Sequence, residues 1–458
     1  MRFGRLCALG SIAAIIGVIA PQQAARAQDA DQTQDDAAAN GTATLKRYNL
    51  HGQTTFIGQG TPPFPSPYEG ENSLYPNGET RETWTATLAA GLRIDRSNEL
   101  YFNPEMFQGF GLSQTHGVAG FLNGEAQKGG TVVPEIYVAR VFYRYTLNLG
   151  GGQETLKDAF NQVAGTRDID RVTFALGKMS VVDVFDDNSY AHDPRTTFFN
   201  WSIWEAGGFD YAADQKGYTY GMALELNRRD WAARAGYYLE PIHSNAQQLD
   251  WQLFQRGQYV AELEQRYKFV SQPGTLRWLA WTSLANAGSY AQSLAISQDT
   301  GGDPNDTILT TRETRVKYGF AANVEQALSD DVGVFARLSW SDGQSEVMSF
   351  TDIDSSLSGG IVLNGALWGR QEHRLGIGGA INAISEPHRQ WIGAGGLGLL
   401  IGDGKLDYAH ERILEAYYLL PVCDPLLLTL DYQFVDNPGY NRDRGPVSAF
   451  AARLHADY

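Results

Sequence analysis

Residues Arg171–Trp204, RVTFALGKMSVVDVFDDNSYAHDPRTTFFNWSIW, join a strand pattern to a long aromatic connection. Val172, Phe174 and Leu176 alternate with small or polar residues, which is the period-two pattern of a β-strand with two different faces. The connection that follows is dense in aspartate and large aromatic residues. Connections of this length are usually functional or disordered, and disordered segments are poor in aromatic residues. The stretch therefore predicts a strand and an ordered loop that folds into the mouth of a membrane β-barrel.

The same alternation recurs from about residue 45 to the C-terminus, and it predicts an all-β chain. About sixteen candidate strands can be counted, among them Trp84–Ile94 and Val316–Val324, and single-chain bacterial barrels have an even number. In the fourth candidate, Tyr137 and Val141 are expected on one face and Arg140 on the other. Only every second residue of such a barrel faces lipid. The predicted fold is a transmembrane antiparallel β-barrel.

Short and long connections alternate along the chain, which predicts short periplasmic turns, long extracellular loops and one inward-folded constriction loop. One connection departs from this order, because Gly150–Asp170 is long and yet falls on the periplasmic side. Within it, Leu156, Phe160 and Val163 share one helical face. The pattern predicts a short helix over Glu154–Val163 that packs against the barrel rim.

The first residues are typical of an export signal. Arg2 and Arg5 precede an apolar run, and Ala25-Arg26-Ala27 is an A-x-A cleavage site. This predicts a signal peptide over residues 1–27, followed by an acidic flexible arm over residues 28–44 and a barrel over residues 45–458. Removing the three arginines of the signal lowers the formal charge from −16 to −19. No basic field for nucleic acid is expected on so acidic a chain.

The last strand, Phe450–Tyr458, carries an unbroken apolar face that ends on the terminal aromatic residue. Such an ending is typical of proteins inserted into the outer membrane of Gram-negative bacteria. The expected partners are therefore outer-membrane lipids, lipopolysaccharide and the barrel assembly machinery, which would engage this strand.

Three segments together resemble one known family: GKMSVVDVFDDNSYAHDPRTTFFNW (177–201), GGFDYAAD (207–214) and GYTYGMALEL (217–226). They look like the carbohydrate-selective porins of the OprB type. The resemblance extends from about Leu45 to Tyr458. It implies a sixteen-stranded outer-membrane channel that admits sugars by diffusion or facilitated diffusion. A general porin or a porin for other small solutes such as sugar acids stays open, as do a barrel enzyme such as a lipase and a barrel without a pore. A monomer and a trimer also both stay open.

Charged residues on the polar strand faces, with polar and aromatic residues of the long loop, are the candidates for the pore lining. A lipid-facing arginine at the bilayer midplane would cost about 2–4 kcal/mol, so the lumen is the expected place for these charges. Lining donors, acceptors and charges then set the selectivity. The candidates are Arg140, Arg144, Asp183, Asp186, Asp187, His192, Arg195, Trp201, Glu225, Arg234, Glu262, Glu264, Arg266, Arg315, Lys317 and Arg337.

No cofactor and no catalytic residue are expected. Asp183, Asp186, Asp187 and Asn188 offer oxygen ligands that suit Ca²⁺. Their spacing is not that of an EF-hand, and Asp-rich turns commonly hydrogen-bond their own backbone. His192 and Asp193 could suggest a hydrolase, but the G-x-S-x-G elbow of such enzymes is missing from the sequence.

Overall fold

A single closed barrel of sixteen antiparallel strands forms the part of the chain that the structure describes, with each strand paired to its neighbours in chain order and β1 paired with β16. The structure is a computed structural model that describes residues 46–126 and 130–458. The strands are β1 Tyr48–Thr61, β2 Glu79–Arg93, β3 Asn98–Gly109, β4 Thr131–Leu156, β5 Gly165–Met179, β6 Thr219–Asn227, β7 Trp231–Tyr238, β8 Gly257–Phe269, β9 Gln272–Ala287, β10 Glu313–Ser329, β11 Val332–Ser341, β12 Ser355–Asn364, β13 Arg374–Ala383, β14 Glu411–Cys423, β15 Leu426–Asp436 and β16 Val447–Asp457.

The predicted fold class and the alternation of connection lengths are both confirmed. The short turns cover residues 94–97, 157–164, 228–230, 270–271, 330–331, 365–373 and 424–425. The long loops, which we number in chain order, are L1 (62–78), L2 (110–130), L3 (180–218), L4 (239–256), L5 (288–312), L6 (342–354), L7 (384–410) and L8 (437–446). L3 is the longest of them, as the sequence predicts.

The two faces of the strands differ as the alternation requires. On β2, Thr83, Thr85 and Thr87 are buried in the lumen, whereas Trp84 and Leu88 lie exposed on the outer wall. Apolar side chains on the outside and polar side chains on the inside are the arrangement that a bilayer imposes on a barrel.

Four short α-helices lie in the described parts of the long loops. They are α1 Trp201–Trp204 in L3, α2 Tyr290–Thr300 and α3 Pro304–Thr310 in L5, and α4 Glu386–Gly393 in L7. None of the helices found in residues 46–126 and 130–458 has the length and apolar character needed to cross a bilayer.

The helix predicted over Glu154–Val163 is wrong. Strand β4 continues to Leu156 and β5 begins at Gly165, so the connection is a hairpin tip over residues 157–164. Positive φ angles at Gly150, Gly151 and Gly152 (94°, 76° and 95°) and shifts of register let the two strands bulge and continue past the barrel. An isolated helix of this length would be marginal in any case.

The hairpin tip folds back into the periplasmic mouth. The amide of Asn49 donates to the carbonyl oxygens of Ala159 (3.0 Å) and Gln162 (2.8 Å). The guanidinium of Arg93 donates to those of Val163 and Ala164, both at 2.6 Å. Asn49 and Arg93 are buried lumen residues of β1 and β2. The tip therefore packs against the inside of the rim and narrows that end of the barrel.

The prediction that Tyr137 lies on the same face of β4 as Val141 is also wrong. A register shift opposite Pro104 leaves Ala139 out of the pairing, so Arg140 pairs with Asn103 and Val138 with Pro104. Proline has no N–H to donate to the neighbouring strand, and a bulge accommodates it. As a result Tyr137 turns into the lumen, where its hydroxyl donates to Glu105 at 2.5 Å.

The predicted signal peptide (1–27) and acidic arm (28–44) lie outside the described residues and stay predictions.

Candidate constriction and permeation route

L3 enters the barrel at the end of β5 and begins with a single turn of 3-10 helix, Val181–Asp183. The Asp183 carboxylate accepts the backbone N–H of Ser180 at 2.9 Å, which caps this turn. The same carboxylate receives Nε and Nη2 of Arg140 on β4, both at 2.7 Å. A bidentate arginine–carboxylate pair fixes geometry as well as charge, so the start of L3 is fixed to the β4 wall.

The middle of L3 is held by β10 and β11. Asp186 is buried, and its carboxylate accepts Nδ2 of Asn323 at 2.6 Å and Nε of Arg337 at 3.0 Å. Arg337 also donates to the carbonyl oxygens of Ala191 (2.7 Å) and Ile203 (3.1 Å). A buried arginine with this many partners holds several turns of the loop in one place.

The far part of L3 is held by β14 and β16. The Glu415 carboxylate accepts the backbone N–H groups of Phe199 (2.5 Å) and Asn200 (3.0 Å). The Arg453 guanidinium donates to the carbonyl oxygens of Pro194 (2.5 Å) and Thr197 (3.0 Å). Wall side chains thus satisfy loop backbone groups that burial would otherwise leave unpaired, and L3 folds inward as the sequence predicts.

Two further loops fold inward with L3, which the sequence did not predict. Trp201 lies between Phe121 of L2 and Phe350 of L6, with ring centroids at 5.1 and 5.0 Å and interplanar angles of 21° and 12°. Glu411 accepts backbone N–H groups of L2, and Asp210 of L3 accepts those of L6. L2, L3 and L6 therefore form one packed body inside the barrel.

This packing shifts the pKa of one L3 carboxyl group. Burial, together with the nearby Asp186 carboxylate, raises the pKa of Glu205 well above its usual value. Both effects favour the neutral form of the Glu205 carboxyl group.

Arg195 connects L3 to L2 and to β3. It donates to Glu125 (2.8 Å) and Glu105 (3.1 Å). Burial lowers the pKa of Arg195, but the carboxylates of Glu125 and Glu105 outweigh it and raise the pKa well above the usual value, so Arg195 stays charged. In the structure its partners are acidic.

L3 packs more tightly against one side of the lumen than against the other. On the side of β10–β16, the wall charges that hold L3 are sealed: Arg337 is 1% exposed, and Glu415 and Arg453 are fully buried. On the side of β4–β9, Asp183 and Asp187 of L3 remain 28% and 41% exposed, whereas wall residues such as Glu262 and Glu264 are buried. L3 is therefore less tightly sealed against this side, which we call the β4–β9 wall.

Charges along the β4–β9 wall occur as pairs of opposite sign. Arg140 pairs with Asp183, and the side chain of Arg277 lies 4.0 Å from that of Asp187. Three further arginine–glutamate pairs lie nearer the periplasmic end. They are Arg234–Glu225 (2.8 Å), Arg266–Glu264 (2.7 Å) and, in the β4–β5 hairpin, Arg167–Glu154 (2.5 Å).

This architecture has relatives among known proteins. A family model described as "Carbohydrate-selective porin, OprB family" matches residues 71–458. The chain belongs to this family. No curated protein sequence matches this OprB-family chain.

Solved structures share its fold. The high pH structure of Pseudomonas putida OprB is 14% identical with a TM-score of 0.66, covering 94% of this chain and 97% of that chain. Salmonella typhi OmpF in complex with daunomycin is 12% identical with a TM-score of 0.50, covering 90% of this chain and 97% of that one. The outer membrane channel DcaP of Acinetobacter baumannii is 8% identical, also with a TM-score of 0.50. The match covers 90% of this chain and 97% of that chain.

These matches establish a porin barrel, and the family model makes this OprB-family chain a carbohydrate porin of the outer membrane.

Half of the predicted lining residues lie along the β4–β9 wall, and several of them form one network. Arg234 on β7 donates to Glu225 (2.8 Å), Glu262 (2.6 Å) and Glu264 (2.9 Å). Glu262 also accepts the backbone N–H of Asp186 at 2.8 Å, which connects the network to L3. Arg140, Asp183, Asp187 and Arg266 lie along the same wall.

Other predicted residues lie elsewhere. Trp201 is buried in the loop body, so its ring is not offered to a solute. Arg144 lies at the periplasmic mouth, where it donates to the carbonyl oxygen of Asn161 at 2.9 Å. Arg315 lies under L5 and donates to Gln292 of α2 at 2.6 Å. Lys317 is buried beside Asp210 at 3.2 Å, and His192 is half-buried in L3.

The L3 residues predicted as calcium ligands point in different directions. Asp183 faces Arg140, Asp186 faces Arg337 and Asn188 donates to Asn323 at 2.8 Å. Over the ranges 46–126 and 130–458, no group of three or more His, Cys, Asp or Glu residues is arranged to hold a metal ion.

Sequence reasoning missed the residues that anchor the loops. Glu105, Glu125, Glu411, Glu415 and Arg453 were not among the candidates, although each makes a contact that positions a loop. A signal existed for Glu415 and Arg453, because both occupy inward positions between outward apolar neighbours of their strands.

Proposed function

We propose that this porin passes small neutral carbohydrates and polyols through the space between L3 and the β4–β9 wall. The observation that carries the proposal is the pairing of charges there, with each arginine set against a carboxylate at 2.7–4.0 Å. A paired lining has many donors and acceptors but little net charge. A sugar can exchange hydrogen bonds with water for hydrogen bonds with such side chains.

The same lining disfavours charged solutes. A sugar acid of similar size gains no net attraction from balanced charges and loses hydration on entering a narrowed space. A general porin or a porin that prefers sugar acids would instead need an excess of one sign at the constriction. The pairs along the β4–β9 wall offer none.

The test is a liposome-swelling series on purified protein reconstituted in vesicles. We expect swelling to be fastest with neutral monosaccharides and polyols, slower with disaccharides and slowest with sugar acids of monosaccharide size. Vesicles without protein serve as the control. Swelling as fast with a sugar acid as with the parent sugar would contradict the proposed selectivity, and absence of swelling with every solute would contradict an open route.

Three further elements extend this proposal beyond the barrel. We infer export through the signal peptide at residues 1–27, contact of the barrel wall with lipopolysaccharide and insertion by the barrel assembly machinery through β16. The supporting features are the basic and apolar start of the chain, the outward apolar residues of the strands and the closing position of β16 beside β1. We also propose that the channel works without a cofactor.

A further inference from the structure

The end of one long loop, L4, turns outward. The end of L4 folds down over the outer wall of the barrel, where the ring of Trp251 lies 5.3 Å from that of Tyr220 and the ring of Phe254 lies 4.8 Å from that of Tyr237. Tyr220 and Tyr237 are outward residues of β6 and β7, since their neighbours Thr219 and Tyr238 are fully buried in the lumen. The end of L4 therefore covers outward residues of the barrel wall, whereas Ser244 and Asn245 earlier in the same loop contact L6.

Specific hydrogen bonds hold this part of L4 against the wall. The Tyr237 hydroxyl accepts the backbone N–H of Phe254 and donates to the carbonyl oxygen of Arg256, both at 2.7 Å. Arg256 pairs with Asp250 at 2.9 Å and donates to Thr314 of β10 at 2.9 Å. Phe254 has a φ of 62°, an uncommon conformation for a bulky residue. The segment is thus fixed in place.

The side chains that this segment presents are apolar and exposed. Trp251, Leu253 and Phe254 are 62%, 51% and 60% exposed, and they project from the outside of the barrel. Exposed apolar patches on a soluble surface usually mark an interaction site. On this wall the patch continues directly into the outward apolar residues Tyr220, Leu224, Tyr259 and Leu263.

We propose that Trp251, Leu253 and Phe254, which we call the L4 anchor, insert into the outer leaflet of the bilayer at the boundary between acyl chains and head groups. Continuity with the lipid-facing wall selects lipid as the occupant. Tryptophan and phenylalanine at a fixed loop end suit that boundary, where an aromatic ring remains near the polar groups. The Asp250–Arg256 ion pair lies beside the anchor and supplies its polar side.

The experiment places a single cysteine at the anchor. Leu253→Cys is made in a background in which Cys423, the single cysteine outside the predicted signal peptide, is changed to Ser. The protein is labelled with an environment-sensitive fluorophore and reconstituted in phosphatidylcholine vesicles that contain lipids with a shallow or a deep nitroxide quencher. Asp299→Cys in exposed α2 of L5 is the matched control. We expect severalfold stronger quenching at position 253 than at 299, and stronger quenching by the shallow lipid than by the deep one.

Two outcomes overturn the proposal. One is equal quenching at both positions in protein that shows normal heat-modifiable mobility. The other is cross-linking of position 253 between two copies by a bifunctional maleimide, together with loss of quenching, because a second copy would then cover the anchor. The variant Trp251→Ser/Leu253→Ser/Phe254→Ser gives a second readout. Its conductance is expected to equal that of the parent, and an altered conductance would place L4 at the pore.

Discussion

Removing residues 188–197 from L3 is expected to raise single-channel conductance severalfold and to reduce the differences in swelling rate among sugars. These residues fill the space between Glu325 on β10, whose carboxylate accepts the N–H of Ser189 at 2.5 Å, and Arg453 on β16. A sixteen-stranded barrel without such a filling leaves a wide aqueous channel. The shortened loop would open the lumen on the side of β10–β16, which is sealed in the intact protein.

An effect of the deletion on folding of the barrel must be distinguished from opening of the channel, because the deletion leaves Arg453 without the carbonyl oxygens of Pro194 and Thr197. Heat-modifiable mobility on gels is the measure of a folded barrel. Removal of residues 251–254 from L4 is the matched control, since that segment lies on the outer wall and its loss should leave conductance unchanged. A folded L3 variant with the parent conductance and the parent ranking of sugars would show that L3 does not set the passage.

The second large effect is expected at the pair of Arg140 and Asp183. Changing Arg140 to Glu places a new carboxylate beside Asp183 and Glu105 on the β4 side, so the constriction acquires an excess of negative charge. We expect the channel to become strongly cation-selective and sugar acids to pass even more slowly than in the parent. The measurement is the reversal potential in a salt gradient across a planar bilayer.

The reverse change supplies a test within the same pair. Arg140→Asp combined with Asp183→Arg restores one charge of each sign and should return the reversal potential toward the parent value. Arg412→Glu is the matched control, because Arg412 pairs with Asp436 on the outer wall and not in the lumen. A reversal potential that moves equally in Arg140→Glu and Arg412→Glu would contradict the assignment of Arg140 to the passage.

The strands could be predicted because the alternation of residues along each strand depends only on what its two faces contact. A strand such as β10 must present apolar residues to lipid at every second position, and this requirement does not depend on which strand is its neighbour. The lengths of the connections then fix the two ends of the barrel. The face of Tyr137 could not be predicted in this way, because the bulge at Ala139 lies opposite Pro104 on the neighbouring strand.

The hairpin tip misled the sequence interpretation for a different reason. Leu156, Phe160 and Val163 fit a helical period, but their environment is set by distant residues. Asn49 and Arg93, more than sixty positions away, supply the hydrogen bonds that fix the tip. Three consecutive glycines with positive φ angles allow the strands to form the long bulged hairpin. The local sequence pattern does not indicate which residues the tip will contact.

Partners inside the lumen could not be predicted from one sequence. Asp186 and Arg337 are 151 residues apart, and either could have paired with another charge on a polar face. The inward fold of L2 and L6 depends on Phe121 and Phe350 meeting Trp201, a contact that joins three loops. The aromatic content of L3 alone was enough to predict that L3 is buried, because so many rings are costly to expose.

The most direct test of the proposed route compares two single cysteines in a Cys423→Ser background. Asp187→Cys lies in L3 facing the β4–β9 wall, and Ser356→Cys lies on the lumen face of β12 behind the loop body. A bulky methanethiosulfonate reagent added during single-channel recording should sharply reduce the conductance and the sugar flux of Asp187→Cys and leave Ser356→Cys unchanged. Block of Ser356→Cys with no effect on Asp187→Cys would place the passage on the opposite side of L3 and contradict the route.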